Sequence, residues 1–282
     1  FGHGLGFQNF EDESTGKWQS NTPDIYSTFV FDNTTGLFWT QMSNPQRKTS
    51  AINYGNVVFT GASAIHGASL VLDDRTSFRV TAPAAIAGDY AYGTASFGPV
   101  PTPANFSGSV VLGTDAANAA GPSTTDGCSA FTNAGAVAGH IAIVDRGGCA
   151  FVLKAANAQA AGASGLIVAN NVAGSPPPGM GGTDPTITIA AISVTQSDGA
   201  TIKGASGVQV ALQVDPTKLQ GADNLGRPRL YTPNPVQPGS TGSHYDTALA
   251  PNALMEPAIN DSLNAALNLD ITPNLLEDTG WH

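Results

Sequence analysis

Two histidines stand near opposite ends of this 282-residue chain, each in company that suggests metal chemistry. At the start, FGHGLGF sets His3 three residues before Gly6; towards the end, SHYDTALAPNALMEP sets His244 eleven residues before Met255. A neutral imidazole is a zinc ligand, and hydrolytic zinc sites take three protein ligands and leave a fourth position open. On a helix, ligands at i and i+4 share one face. A glycine three residues beyond the second ligand lets the chain turn out of the helix through backbone angles that other residues avoid. His3 and Gly6 fit the second half of that spacing, H-E-x-x-H-x-x-G, with Phe1 and Gly2 as its variable residues. On this reading the first histidine and the general-base glutamate come immediately before Phe1, so the chain holds no catalytic base and is a C-terminal fragment. His66, His140 and His282 have no partner of this kind.

Ligands 241 residues apart must be brought together by whatever lies between them. Residues 1–60 mix short apolar patterns with NTTG and SNPQ turns, and PDIYSTFVFD reads equally as helix or strand. From about Ala84 the texture changes to strands punctuated by Gly, Ala and Pro. GHIAIVDRG is a short buried strand, CAFVLKAANAQAAGA a helix stopped at Gly162, and SGLIVANN a second apolar strand. Together they make a parallel βαβ unit. PPPGMGGTDP reads as a loop, TITIAAISV as a strand, TQSDGATIKGA as a capped helix and VQVALQVD as an alternating strand. The two cysteines, Cys128 and Cys149, have loop-like flanks. That favours a disulfide over two buried thiols, and a disulfide would place the protein outside the cytosol.

The middle segment resembles a protease-associated (PA) domain. The resemblance rests on a strand ending in Arg-Gly, a Cys-x-Phe, a Lys, an Ala-Gly-Ala helix end and an apolar strand closing in Asn, from Arg146 through Asn170. It implies an α/β insert without catalytic residues, over residues 80–215, of the kind carried by secreted peptidases. The two ends resemble the leishmanolysin-like branch of the metzincins, in which the third zinc histidine comes from far downstream, shortly before a Met-turn. Asn9 stands where the shorter metzincin motif has its third histidine. The resemblance instead implies His244 as the distant ligand and Met255 as a supporting turn residue that packs without ligating. The fold expected is α+β, with metzincin-like lobe pieces at 1–79 and 216–282 flanking the inserted domain. The function implied is a secreted zinc endopeptidase, inactive as this chain alone, acting on peptide or protein substrates with Zn2+ as cofactor.

Two other readings are kept. One is a non-catalytic secreted PA-domain binding module. The other is a di-zinc aminopeptidase, whose first metal motif GSHYD resembles, although only 38 residues follow His244 to supply the remaining acidic ligands. A serine peptidase is set aside because there is no G-x-S-x-G, and GMGGTD lacks the lysine of a phosphate loop. The net charge of −10, with 11 basic against 21 acidic residues, speaks against nucleic-acid partners. No apolar run is long enough to insert in a membrane. The acidic runs Glu11-Asp12-Glu13 and Asp73-Asp74 read as solvated faces ahead of calcium sites. Sequons at Asn33, Asn105 and Asn260 carry little weight in so Asn-, Ser- and Thr-rich a chain.

Overall fold

The computed structural model describes residues 2–258 and 270–281; the sequon at Asn260 and His282 lie outside them. The chain forms two compact units, one made of Phe1–Arg75 with Asp215–His282, the other of Thr76–Val214.

The first unit, built from both ends of the chain, is made of short elements. A two-stranded ladder pairs β1 (Glu11–Asp12) with β2 (Lys17–Trp18), and a three-stranded antiparallel sheet has the order β4-β3-β5. Here β3 is Val30–Asp32, β4 Leu37–Phe38 and β5 Val57–Phe59. The ambiguous PDIYSTFVFD resolves into both forms, a 3-10 turn at Tyr26–Phe29 that runs directly into β3. Helix α1 (Asn44–Ser50) begins where the Gln46 side chain accepts the Ser43 amide at 2.9 Å, with Pro45 in the first turn. Helix α2 (Ala62–Val71) starts without such a cap; its Ser63 and Ala64 amides donate to the carboxylate of Asp278, at 3.0 and 2.8 Å. Asp278 ends the helix Thr272–Asp278, so the last helix supplies the anionic cap of an early one. Phe7, Tyr26, Trp39, Phe59, Tyr245 and Leu275 form the core of this unit, all fully buried.

The second unit is an eight-stranded mixed sheet in the order β7-β6-β13-β9-β10-β11-β12-β8. Its strands are β6 (Asp74–Ala82), β7 (Gly88–Tyr90), β8 (Gly93–Thr94), β9 (Ser107–Leu112), β10 (Ile141–Asp145), β11 (Gly165–Ala169), β12 (Ala190–Val194) and β13 (Gln209–Leu219). The four from β9 to β12 run parallel. Besides the single turn α3 (Ala134–Val137), α4 (Phe151–Ala160) joins β10 to β11 as the βαβ unit requires. Helix α5 (Gln196–Gly204) is capped by Thr195, whose hydroxyl accepts from the Asp198 amide. Side chains alternate across the sheet: Ala142, Val144, Leu166 and Val168 join one apolar cluster with α4, while Ile143, Ile167 and Ile192 join a second with Ile202 of α5. The strand expected over TITIAAISV is shorter than the apolar run, because residues before Ala190 belong to the preceding loop.

Cys128 and Cys149 are disulfide-bonded, with Cα atoms 5.7 Å apart. The fully buried Lys154 of α4 holds the loops on either side of this bond: its ammonium donates to the carbonyls of Asp126 at 2.5 Å and Gly147 at 2.6 Å.

One expectation is corrected in the first unit. Glu11 is no part of a solvated acidic face; it is 1 % exposed, and neither carboxylate oxygen has a hydrogen-bond partner. Its ladder partner is Trp18, on whose ring the Arg47 guanidinium stacks at 4.2 Å. Burial raises the Glu11 carboxyl to about 8, against the opposing pull of Arg47. Burial likewise raises Glu256 to about 8 and Asp246 to about 6. An acid whose pKa is higher folded than unfolded favours folding while it stays protonated, so stability is full below the unfolded value and is lost as pH rises through the folded one. The melting temperature should therefore fall between pH about 4.5 and about 8. Glu11→Gln should flatten part of that slope and melt higher than the parent at pH 8, as thermal scans across this range will show. An equal slope in the variant would mean that Glu11 is charged in the folded state.

Candidate metal site

The residues that bracket both histidines are packed on one another. Phe7, four residues after His3, meets Tyr245, the neighbour of His244, edge-to-face at 4.8 Å between ring centroids. Both rings are fully buried, and such aromatic pairs add about 0.5–1.5 kcal/mol beyond the area they bury. Two residues further on, Asn9 is 1 % exposed and its amide donates to Ser243 Oγ at 3.3 Å. The Ser243 hydroxyl in turn donates to Asn9 Oδ1. Tyr26 OH donates to Gly242 O at 2.9 Å, and Tyr231 N donates to His244 O at 2.8 Å. The segment after His3 and the segment before and after His244 are thus tied residue by residue across more than 230 positions of sequence.

This frame brings the two imidazoles to a centroid separation of 4.8 Å with ring planes at 76°. Each Nδ1 faces a backbone carbonyl: His3 Nδ1 donates to Phe7 O at 2.8 Å, and His244 Nδ1 to Ser240 O at 3.0 Å. A carbonyl only accepts, so each Nδ1 carries a proton, and in the neutral form of such a ring Nε2 is the lone-pair donor. Metal-binding histidines are held in the same way, with the second nitrogen donating to a carbonyl or carboxylate. His244 is 9 % exposed, and burial lowers its pKa, with repulsion from His3 adding to the effect against the Ser240 hydrogen bond. Burial thus favours the neutral ring, the form a ligand takes. His3 is exposed to solvent.

The backbone around the pair depends on two glycines. His3–Leu5 form a single 3-10 turn, and Gly6 ends it at φ +104°, a left-handed conformation that a side chain would strain. Gly2 is required by closeness: a Cβ there would lie 2.4 Å from Met255 Sδ. Met255 is 7 % exposed, and its carbonyl accepts the Tyr245 amide at 2.9 Å, so the turn that carries it is stitched to the segment around His244. Trp281 Nε1 donates to Leu5 O, closing the turn from the C-terminal side.

Among the described residues, no group of three or more His, Cys, Asp and Glu side chains is arranged to hold a metal. Asp246, two residues past His244, is buried beside Tyr54 and Arg229. His66 lies exposed on α2 and His140 precedes β10. The roles of Phe7, Tyr245 and Ser243 are absent from the motif reading. The one sequence signal for them is that each is an apolar or hydroxyl residue within a few positions of a candidate ligand.

The PA domain family matches residues 105–202, so the chain carries a PA domain within its second unit. An aminopeptidase of Pseudomonas aeruginosa, in strains UCBPP-PA14 and PAO1, is 47 % identical over 60 residues, or 21 % of this chain and 11 % of the relative. The match thus spans about a tenth of the relative's length. Similar solved structures include a zinc aminopeptidase from Bacillus subtilis, with TM-score 0.35, 20 % identity, and coverage of 54 % of this chain and 36 % of that one. An aminopeptidase from Aneurinibacillus sp. strain AM-1 gives TM-score 0.34, 17 % identity and coverage of 52 % and 31 %. A peptidase M28 precursor from Shewanella amazonensis SB2B gives TM-score 0.31, 12 % identity and coverage of 67 % and 44 %. None of these matches carries the metzincin reading of the flanking segments. Among the described residues no helix is long and apolar enough to cross a membrane.

Proposed function

We propose that the unit built from the chain's two ends is part of the metal-binding lobe of a secreted zinc-dependent peptidase, with the PA domain as its protein-interaction insert. The observation that supports this most is the apposition of His3 and His244, each with Nδ1 bound to a carbonyl and Nε2 left open. The pair fits zinc in donor type and in the carbonyl contact of each Nδ1, and would supply two of the three protein ligands that a hydrolytic site takes. When bound, zinc supplies Lewis-acid polarisation of a peptide carbonyl.

What this chain's own residues do is positional. Phe7 against Tyr245, and Asn9 against Ser243, fix the two imidazoles relative to one another before any metal arrives. The carbonyls of Phe7 and Ser240 hold the proton on Nδ1 of each ring. Met255 fills the space beside Gly2 and supports the turn, while the exposed edge of His3 leaves the pair open to an extended peptide.

Endopeptidase action follows from the resemblance to the leishmanolysin-like branch. Aminopeptidase action is the second reading, and the 47 % match to the Pseudomonas aeruginosa aminopeptidase favours it. Zinc stoichiometry together with cleavage of free and N-acetylated peptides, measured on the whole peptidase of which this unit is proposed to be part, separates them. One zinc per chain with cleavage of the acetylated peptide supports the first; two zincs and a need for a free amino end support the second. A protein that retains no zinc would overturn both and leave the PA domain as a binding module.

A further inference from the structure

The first unit holds a second concavity that shares no residue with the histidine pair. It has a volume of about 460 Å³ and is lined by Arg75, Arg227 and Arg229 together with Asn33, Asn56 and Asp223. Three of the chain's 11 basic residues thus face one cavity in a protein of net charge −10.

Two of the three also hold the loop between them. Arg227 Nε donates to Asp223 Oδ2 at 2.7 Å, a terminal nitrogen donates to Asn33 Oδ1 at 2.5 Å, and the guanidinium stacks on Phe31 at 4.8 Å. Arg75 donates to Asn224 Oδ1 at 3.2 Å and to Ala222 O at 2.5 Å. Arg229 is placed differently. Its backbone carbonyl accepts the Asp246 amide at 3.0 Å, its buried Nε has no hydrogen-bond partner, and its charge acts on the buried Asp246. Asp223 on the wall and Asp246 behind it offset two of the three positive charges. Positive charge is therefore in excess around the cavity, and Arg229 lines it with a guanidinium whose Nε makes no hydrogen bond. A guanidinium presents five donors in a planar fork that matches a carboxylate or phosphate edge.

We infer that this cavity is a binding site for an oxyanion, a carboxylate or a phosphate-type group, received by Arg229 with Arg75 and Arg227 as flanking charges and the asparagine amides as rim donors. The inference is independent of the peptidase reading, since no residue of the histidine pair takes part.

The test is calorimetric titration of the full chain with inorganic phosphate, sulfate and succinate at constant ionic strength, with chloride as the control. Saturable binding of at least one of the three is expected. Preference for phosphate and sulfate would identify a tetrahedral anion, and preference for succinate a carboxylate. Arg229→Gln should weaken binding by about tenfold or more, the scale of one lost charge-assisted contact. Leu225 lines the same cavity and is 70 % exposed, so Leu225→Glu places a competing carboxylate at the rim without touching the core. That variant should weaken binding about threefold or more and remains informative if the arginine variant fails to fold. No saturable binding of any of the three anions would overturn the inference. So would binding that Leu225→Glu leaves unchanged.

Discussion

Replacing His244 by alanine is expected to lower zinc affinity by more than about 100-fold while the protein still folds. Loss of an outer-shell partner of a metal site costs about 10- to 100-fold, and loss of a ligand itself must exceed that. Folding should survive because the segment around His244 is held by its neighbours: Tyr245 packs on Phe7, Ser243 bonds to Asn9, and the His244 carbonyl is bound by Tyr231. None of these contacts needs the imidazole. His66→Ala, on the exposed face of α2, is the matched control and should bind zinc like the parent. Competition against a chromophoric chelator reads both affinities. Parent-like affinity in the His244 variant would remove that residue from the site.

Lys154→Met is expected to destabilise the PA-containing unit by about 2–6 kcal/mol, because the carbonyls of Asp126 and Gly147 would lose a buried charged donor at roughly 1–3 kcal/mol each. Methionine keeps the length and apolar stem, so the loss isolates the ammonium and creates little cavity. Burial lowers the Lys154 pKa, and the nearby carboxylates of Asp126, Asp115 and Asp145 oppose that shift. A drop of about 5–15 °C in the melting transition follows for a unit of this size. A thiol assay on the folded variant should still find Cys128 and Cys149 oxidised, which separates loss of the lysine from loss of the disulfide. A shift within about 2 °C would mean that water replaces the ammonium at no cost.

The parts of the fold that the sequence announces are those with a long, one-signed signal. GHIAIVDRG and SGLIVANN are continuous apolar runs bounded by glycine and asparagine, and both become strands buried on two faces, β10 and β11. Lys154 and Cys149 stand at their motif positions in that same segment. The flanking unit carries no such signal, because its strands are two or three residues long and shorter than any period. Val30–Asp32 is a strand only because β4 and β5 pair with it, and those partners are set by tertiary packing. Glu11 reads as solvated because its acidic neighbours Asp12 and Glu13 stay partly exposed, while strand alternation turns Glu11 inward. Arg75 and Arg229 are 154 positions apart, and nothing local hints that they share a cavity. The histidines are legible for a different reason: glycines at 2, 4 and 6 around one, and a Met eleven residues past the other, restrict the chemistry each can serve. The residues that position them are ordinary core residues and carry no comparable mark.

The most direct test of the peptidase account is a crystal structure of the protein grown with zinc, with anomalous maps collected on both sides of the zinc absorption edge. The account expects one edge-dependent peak between His3 Nε2 and His244 Nε2, at about 2.0–2.1 Å from each nitrogen, with both Nδ1 atoms still on the carbonyls of Phe7 and Ser240. Absence of a peak at the histidine pair, with zinc present at full occupancy elsewhere on the chain, would contradict it.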